Sequence, residues 1–247
     1  MNTKASTQDI RANIERVRSR MYDAAVRASR KPEEIRLLAV TKTVSDQRLV
    51  DAIDAGQRLF GENYVQEAQA KIASAKEVAP DIIWHFIGHL QTNKAKLAVS
   101  LFECIQTLDS VKLARAIDKY AEKQDKVMPC MIQINISGED SKFGLSPDAL
   151  QGFLDDISCF EHIRIIGLMA VPFWTPEPEG ARPYFKALRD LRDANQSHKV
   201  AHDMNELSMG MTNDFEVAIE EGATIVRVGT AIFGPRPQSC HLKGHGV

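Results

Sequence analysis

The chain has 247 residues, 44% of them hydrophobic, and 31 basic side chains stand against 33 acidic ones for a formal net charge of -2. That length suits one large domain with an ample core, and the near-balance of charge gives no basic field for a nucleic-acid partner. Four scattered cysteines, Cys104, Cys130, Cys159 and Cys240, form no C-x-x-C pair, so they read as reduced thiols and not as a disulfide framework or a zinc site.

The start, Met1-Asn2-Thr3-Lys4-Ala5, is polar and lacks the apolar core of a signal peptide. No apolar run approaches the roughly 20 residues that span a bilayer. The expectation is a soluble cytoplasmic protein, with no membrane partner. No long exposed apolar face is evident, which makes a monomer the default.

The elements follow in chain order. Ile10, Ile14, Val17, Met21 and Ala24 recur at helical spacing and predict a helix from Thr7 to about Ser29, ended by Lys31-Pro32. Leu37-Leu38-Ala39-Val40-Thr41-Lys42 then reads as a short buried strand ending in an amine, with Leu38, Val40 and Lys42 on one face. Ser45 caps a helix that Gly56 stops. Arg58-Leu59-Phe60 is a second strand, running through Gly61-Glu62-Asn63 into a helix to about Ala75.

A third strand from Ile82 to Ile87 leads into Gly88-His89 and a helix to about Val99. Glu103 to Leu108 is the fourth strand, followed by a helix opened at Asp109 or Ser110. Met128 to Ile136 is the fifth, and Ser146-Pro147 starts the helix after it. Ile163 to Val171 is the sixth, with a helix over roughly 180–195. Glu206-Leu207-Ser208 and Thr224 to Val228 are the seventh and eighth, separated by a helix from Asp214 to about Glu221. The segment from about 235 to 247 has no periodicity and is expected to be a flexible tail.

Strand and helix alternate about eight times, the pattern of a parallel sheet covered by helices. The count suits a single closed (β/α)8 TIM-type barrel over residues 1–247, with the N-terminal helix as an additional outer layer. An open doubly wound sheet is the alternative, disfavoured because no G-x-G-x-x-G follows the first strand.

Active faces of such barrels lie at the C-terminal ends of the strands. Lys42 stands at the first of these. A desolvated lysine loses its charge more readily and becomes a nucleophile toward carbonyls; a lysine that snorkels into water is the bland alternative. Ser208-x-Gly210 and Gly229-Thr230-Ala231 follow the last two strands, where backbone N–H groups and absent side chains favour a phosphate. Ordinary turn glycines are the competing explanation. Arg227 sits inside an apolar strand and cannot shed its charge, so it needs a partner. That partner is either a carboxylate from a neighbouring strand or the ring nitrogen of a cofactor.

Lysine, phosphate cradle and arginine together suggest pyridoxal 5'-phosphate (PLP), although Schiff-base aldolases also combine a barrel lysine with a phosphate site. His85 and His89 are four apart, but the strand and Gly88 between them spoil a metal pair, and Cys240, His241 and His245 fall in the tail; no metal is expected. Cys104, Cys130 and Cys159 are expected to be core thiols.

The stretches Leu38-Ala39-Val40-Thr41-Lys42, Gly61-Glu62-Asn63-Tyr64-Val65-Gln66-Glu67, Trp84-His85-Phe86-Ile87-Gly88-His89-Leu90-Gln91-Thr92-Asn93-Lys94, Gly167-Leu168-Met169, Leu207-Ser208-Met209-Gly210-Met211 and Val226-Arg227-Val228-Gly229-Thr230-Ala231-Ile232-Phe233-Gly234 occur in that order along nearly the whole chain. In them the chain resembles the pyridoxal phosphate homeostasis protein family. The resemblance implies a barrel like the N-terminal domain of alanine racemase, binding PLP without robust turnover and regulating or carrying cofactor supply.

It further implies that Lys42 is the Schiff-base residue, with Arg227 at the ring nitrogen. Ser208, Gly210, Gly229 and Thr230 would lie at the phosphate, and Asn63 near the lysine or the ring. PLP-dependent apo-enzymes are the implied recipients. Thr43-Val44 departs from the family, which often has a proline after the lysine. An amino-acid racemase is the second reading. It needs a second base, and Tyr22, Tyr64, Tyr120 and Tyr184 are all expected in helices, away from strand ends. A cofactor-free aldolase is the third.

Overall fold

The computed structural model describes residues 7–139 and 142–235. The expected tail, with Cys240, His241 and His245, lies outside the described residues apart from Pro235. Eight parallel strands close into a barrel in sequence order: β1 (Arg36–Val40), β2 (Leu59–Glu62), β3 (Ile83–Phe86), β4 (Cys104–Leu108), β5 (Met128–Gln133), β6 (Ile163–Met169), β7 (Glu206–Ser208) and β8 (Ile225–Val228). The last strand pairs with the first, Leu38 opposite Arg227 and Ala39 opposite Val228. Each strand is followed by helix, so every crossover carries the chain over the outside of the sheet.

Alternation along the strands produces two apolar cores. Leu38, Leu59, Cys104, Met131, Met169 and Ile225 pack inside the barrel, with Val40, Ile87 and Ile166 beside them. Leu37, Ala39, Trp84, Phe86, Ile105, Val226 and Val228 face outward, into the layer shared with the helices. Those helices are α2 (Asp46–Asp54), α3 (Val65–Val78), α4 (Ala95–Leu101), α5 (Val111–Glu122), α6 (Leu150–Asp156), α7 (Arg182–Asn195), α8 (Phe215–Glu220) and α9 (Thr230–Phe233). The Oγ of Ser110 caps α5 by accepting from the N–H of Leu113 at 3.3 Å.

The first helix, α1 (Thr7–Arg27), is the expected outer layer. Its stripe of Ile10, Ile14, Val17, Met21 and Ala24 is buried against α2, α8 and α9. Asn13 Nδ2 donates to the Ile232 carbonyl at 3.0 Å, and Arg20 grips the Glu216 carboxylate through Nε and Nη2 at 3.3 and 3.1 Å. The helix is thus a strap across the seam where β8 meets β1.

Several local expectations need correction. The first strand ends at Val40, and Lys42 lies in the turn beyond it. The fifth strand stops at Gln133, because the next residues turn to bridge Ile134 to Leu145. The short helix α9 was not foreseen; four residues are too few to show a 3.6 period. Cys104 and Cys130 are buried, whereas Cys159 is exposed just beyond α6.

Candidate active site at the C-terminal mouth

The Lys42 turn is built on buried charge. Thr41 and Thr43 flank the lysine, and both are tied to the following βα unit. Lys71 of α3 spends all three of its ammonium protons: on the Thr41 carbonyl at 2.6 Å, on Glu62 Oε1 at 2.8 Å and on Glu67 Oε1 at 2.7 Å. The Thr41 hydroxyl donates to Glu62 Oε1 at 2.7 Å, and the Thr43 N–H donates to Glu67 Oε1 at 2.9 Å. Glu62 is fully buried, and burial raises its pKa, opposed by the bonds from Lys71 and Thr41.

This clamp holds Thr43 at a φ of +62°, a left-handed conformation that costs a β-branched residue on the order of 1–3 kcal/mol. Lys42 itself is half-buried between the two clamped threonines.

The opposite side of the seam is built on neutral dipoles. Arg227, 4% exposed, points into the barrel from β8. It donates from Nη1 to Ser208 Oγ at 2.7 Å and from Nη2 to the Ala170 carbonyl at 2.8 Å. The Ser208 hydroxyl donates onward to Gln106 Oε1 at 2.6 Å, and Gln106 Nε2 lies 2.8 Å from His85 Nδ1. Because arginine only donates, the direction of every bond in the chain is set: Gln106 donates to Nδ1, and the imidazole proton belongs on Nε2. Burial, with the nearby Arg36 charge, pushes the His85 pKa down to about 3, so this ring is neutral. Gln106 faces inward by strand alternation, two residues after the barrel-filling Cys104.

The carboxylate expected as one possible partner of Arg227 is therefore not what holds it. Burial pulls its pKa down to about 10, with Asp214 pushing back through space. Two of the five guanidinium N–H groups are accounted for, leaving donors for a ligand.

The two sides meet at a cavity of about 180 Å³, lined by Lys42, Ser45 and Arg48 from the β1–α2 side and by Gly229, Thr230 and Gly234 from the β8–α9 side. The loops after β7 and β8 are stitched together: the Arg227 N–H donates to the Gly210 carbonyl at 3.0 Å, and Thr230 Oγ1 bonds Thr212 Oγ1 at 3.1 Å. Gly210 has a φ of +88°, and a Cβ there would lie 2.5 Å from the Ala218 Cβ. Only glycine fits that turn.

The residues singled out in the sequence thus divide into three places. Lys42, Gly229 and Thr230 share the cavity; Ser208, Gly210 and Arg227 lie buried next to it; Asn63 lines a separate cavity of about 430 Å³ with Tyr64, His89 and Phe143. Asn63 Oδ1 is buried and has no hydrogen-bond partner. His89 stacks on Phe143 at 3.8 Å between ring centroids. Tyr64 needs correction: α3 begins at Val65, and Tyr64 is an exposed residue just past the end of β2, on the mouth of the barrel. Sequence reading missed Arg48, Glu62, Lys71, Gln106 and the role of His85. Glu62, His85 and Gln106 were signalled only by polar side chains inside otherwise apolar strands, and Arg48 and Lys71, on α2 and α3, by nothing.

The residues present fit a phosphorylated aldehyde. They offer an amine, a buried cation with unspent donors, and a phosphate-sized cavity floored by glycine. Among the described residues no cluster of three or more metal-ligating side chains forms, and no helix is long and apolar enough to cross a membrane.

Comparison with known proteins agrees in kind. Residues 6–237 match the family model described as alanine racemase, N-terminal domain. A pyridoxal phosphate homeostasis protein of Aquifex aeolicus is 42% identical over 224 residues, covering 90% of this chain and 96% of its own. That of Escherichia coli K12 is 41% identical over 233 residues, covering 94% and 98%. The solved structure of PipY from Synechococcus elongatus, with PLP bound, superposes with a TM-score of 0.79 at 33% identity, covering 91% of this chain and all of PipY. The chain belongs to the pyridoxal phosphate homeostasis protein family, built on the barrel of the alanine racemase N-terminal domain.

Proposed function

We propose that the protein binds PLP at the C-terminal mouth of the barrel and serves the homeostasis of that cofactor. The observation that carries this reading is one cavity shared by Lys42, Gly229 and Thr230, with Arg227 buried on the strand that leads into Gly229. PLP bound to PipY and the name shared by the curated relatives support it. Lys42 is the residue that holds the aldehyde carbon covalently as a Schiff base. Arg227 donates to the ring nitrogen, Gly210, Gly229 and Thr230 surround the phosphate with Ser208 beneath them, and Asn63 approaches from the neighbouring cavity.

When bound, PLP supplies a carbonyl that condenses with amines and a ring that can draw electrons from them. Arginine at the ring nitrogen leaves that nitrogen unprotonated and the ring a weak electron sink. The protein is accordingly a carrier or regulator without robust turnover, acting as a cytoplasmic monomer that passes PLP to apo-enzymes.

The purified protein should be yellow, and borohydride should fix one PLP on the peptide containing Lys42. A colourless protein that PLP does not reconstitute would overturn the reading. The exposed Tyr64 at the mouth favours a racemase as the second reading. That reading gains ground only if L-alanine is converted rapidly to D-alanine and the rate falls in both Lys42→Ala and Tyr64→Phe.

A further inference from the structure

Arg48, the third residue of α2, lines the same cavity as Lys42. Its Nε and Nη2 are buried and have no hydrogen-bond partner among the described residues. These two nitrogens form one edge of the guanidinium, the edge that takes two oxygens of a single oxyanion. The chain uses that edge twice elsewhere. Arg20 holds Glu216 with it at 3.3 and 3.1 Å, and Arg182 holds Glu179 with it at 2.6 and 2.8 Å. At Arg48 the same edge meets no carboxylate among the described residues. Burying donors of a cation unpaired is strongly unfavourable, so the fork implies an occupant.

The surroundings narrow the class of occupant. Lys42 and Arg48 bring two cations to the cavity wall, and among the described residues no carboxylate lines it. Ser45, the N-cap of α2, also lines the wall, and its side chain makes no cap bond. A carboxylate would have both oxygens consumed by the fork. A phosphoryl group gives two oxygens to the fork and keeps a third for Gly229 and Thr230 across the cavity. The Ser208 hydroxyl, expected at a phosphate, is already engaged by Arg227 and Gln106.

We propose that Arg48 is an oxyanion seat for a phosphoryl group, placed between α2 and α9 beside Lys42. This rests on the PLP reading only for the identity of the phosphoryl group, which is either the cofactor's own tail or a free phosphate.

The test compares wild type, Arg48→Gln and Arg48→Lys for binding of PLP, of pyridoxal, which lacks the phosphate, and of inorganic phosphate to the apo-protein. Circular dichroism and the thermal midpoint check that the variants fold, and Arg48→Lys tests charge without the fork. If the seat holds the cofactor's tail, Arg48→Gln weakens PLP by about 10- to 100-fold, leaves pyridoxal unchanged, and Arg48→Lys recovers only part of the loss. If it holds free phosphate, the apo-protein binds inorganic phosphate, Arg48→Gln abolishes that binding, and PLP is unaffected. Either result supports the seat. Equal PLP and phosphate binding in wild type and both variants overturns it. Should wild type bind no PLP at all, the cofactor reading fails while the phosphate arm still decides Arg48.

Discussion

The turn that carries Lys42 and the strand that carries Arg227 lie side by side on the closing seam of the barrel, but they are held by different physics. Around Lys42 the anchors are charges: Lys71 against Glu62 and Glu67, gripping the backbone on both sides of the lysine. Around Arg227 the anchors are dipoles: a hydroxyl, a carbonyl, an amide and a neutral imidazole. A counter-ion at Arg227 would neutralise it and consume its fork. Neutral partners support the guanidinium and leave its charge for a ligand. The ion-pair clamp is suited to fixing a backbone, and the dipole chain to presenting a charge.

Three experiments would break or sharpen that contrast. The largest effect is expected at the far end of the dipole chain. His85 has a folded pKa of about 3 against about 6.5 unfolded, so between those values the unfolded chain binds the extra proton. Its contribution is whole above pH 6.5, is lost as pH falls toward 3, and by then amounts to roughly 5 kcal/mol. His85→Gln keeps an acceptor for Gln106 without a titrating ring. Urea denaturation across this window should show a shallower acid limb in the variant; parallel limbs would show that the ring takes up a proton in the folded state.

Next comes the clamp. Lys71→Met leaves Glu62 buried and uncompensated, at a cost of about 3–5 kcal/mol at neutral pH, and adding Glu62→Gln should recover most of it. A loss under about 1 kcal/mol would mean that the ion pairs do not anchor the turn. The smallest effect on stability is expected at Arg227→Met. It removes a buried charge that no carboxylate contacts among the described residues and orphans chiefly the Ala170 carbonyl, so stability should change by less than about 2 kcal/mol while PLP is lost. If this variant were destabilised more than Lys71→Met, the two regions would not differ as described.

The barrel was legible because strand and helix periods alternate cleanly through the chain, and the outer strap because Ile10, Ile14, Val17 and Met21 form a plain amphipathic stripe. What escaped was what period cannot encode. The apolar run to Lys42 looks like one strand, yet Thr41 leaves the ladder for Glu62 and Thr43 turns at positive φ, a conformation nothing in its residue type announces. Arg48 falls on a helix where a charged side chain normally meets water. Gln106 and Ser208 are 102 residues apart and meet only because the barrel closes. Gly210 was readable because its positive φ and its close approach to Ala218 demand glycine, whereas at Gly229 a Cβ would meet only ordinary contact with Val40.

The strap formed by α1 sets an order on how this protein matures during synthesis. Residues of α1 find their partners, Glu216, Glu220 and the Ile232 carbonyl, some 190 to 220 positions later in the chain. Until those positions are translated, only α2 can pack on the stripe of Ile10, Ile14, Val17 and Met21, and the part that α8 and α9 cover stays open. Competence to take up a ligand at Lys42 therefore arrives abruptly, as the final strand and α9 dock beneath the opening helix.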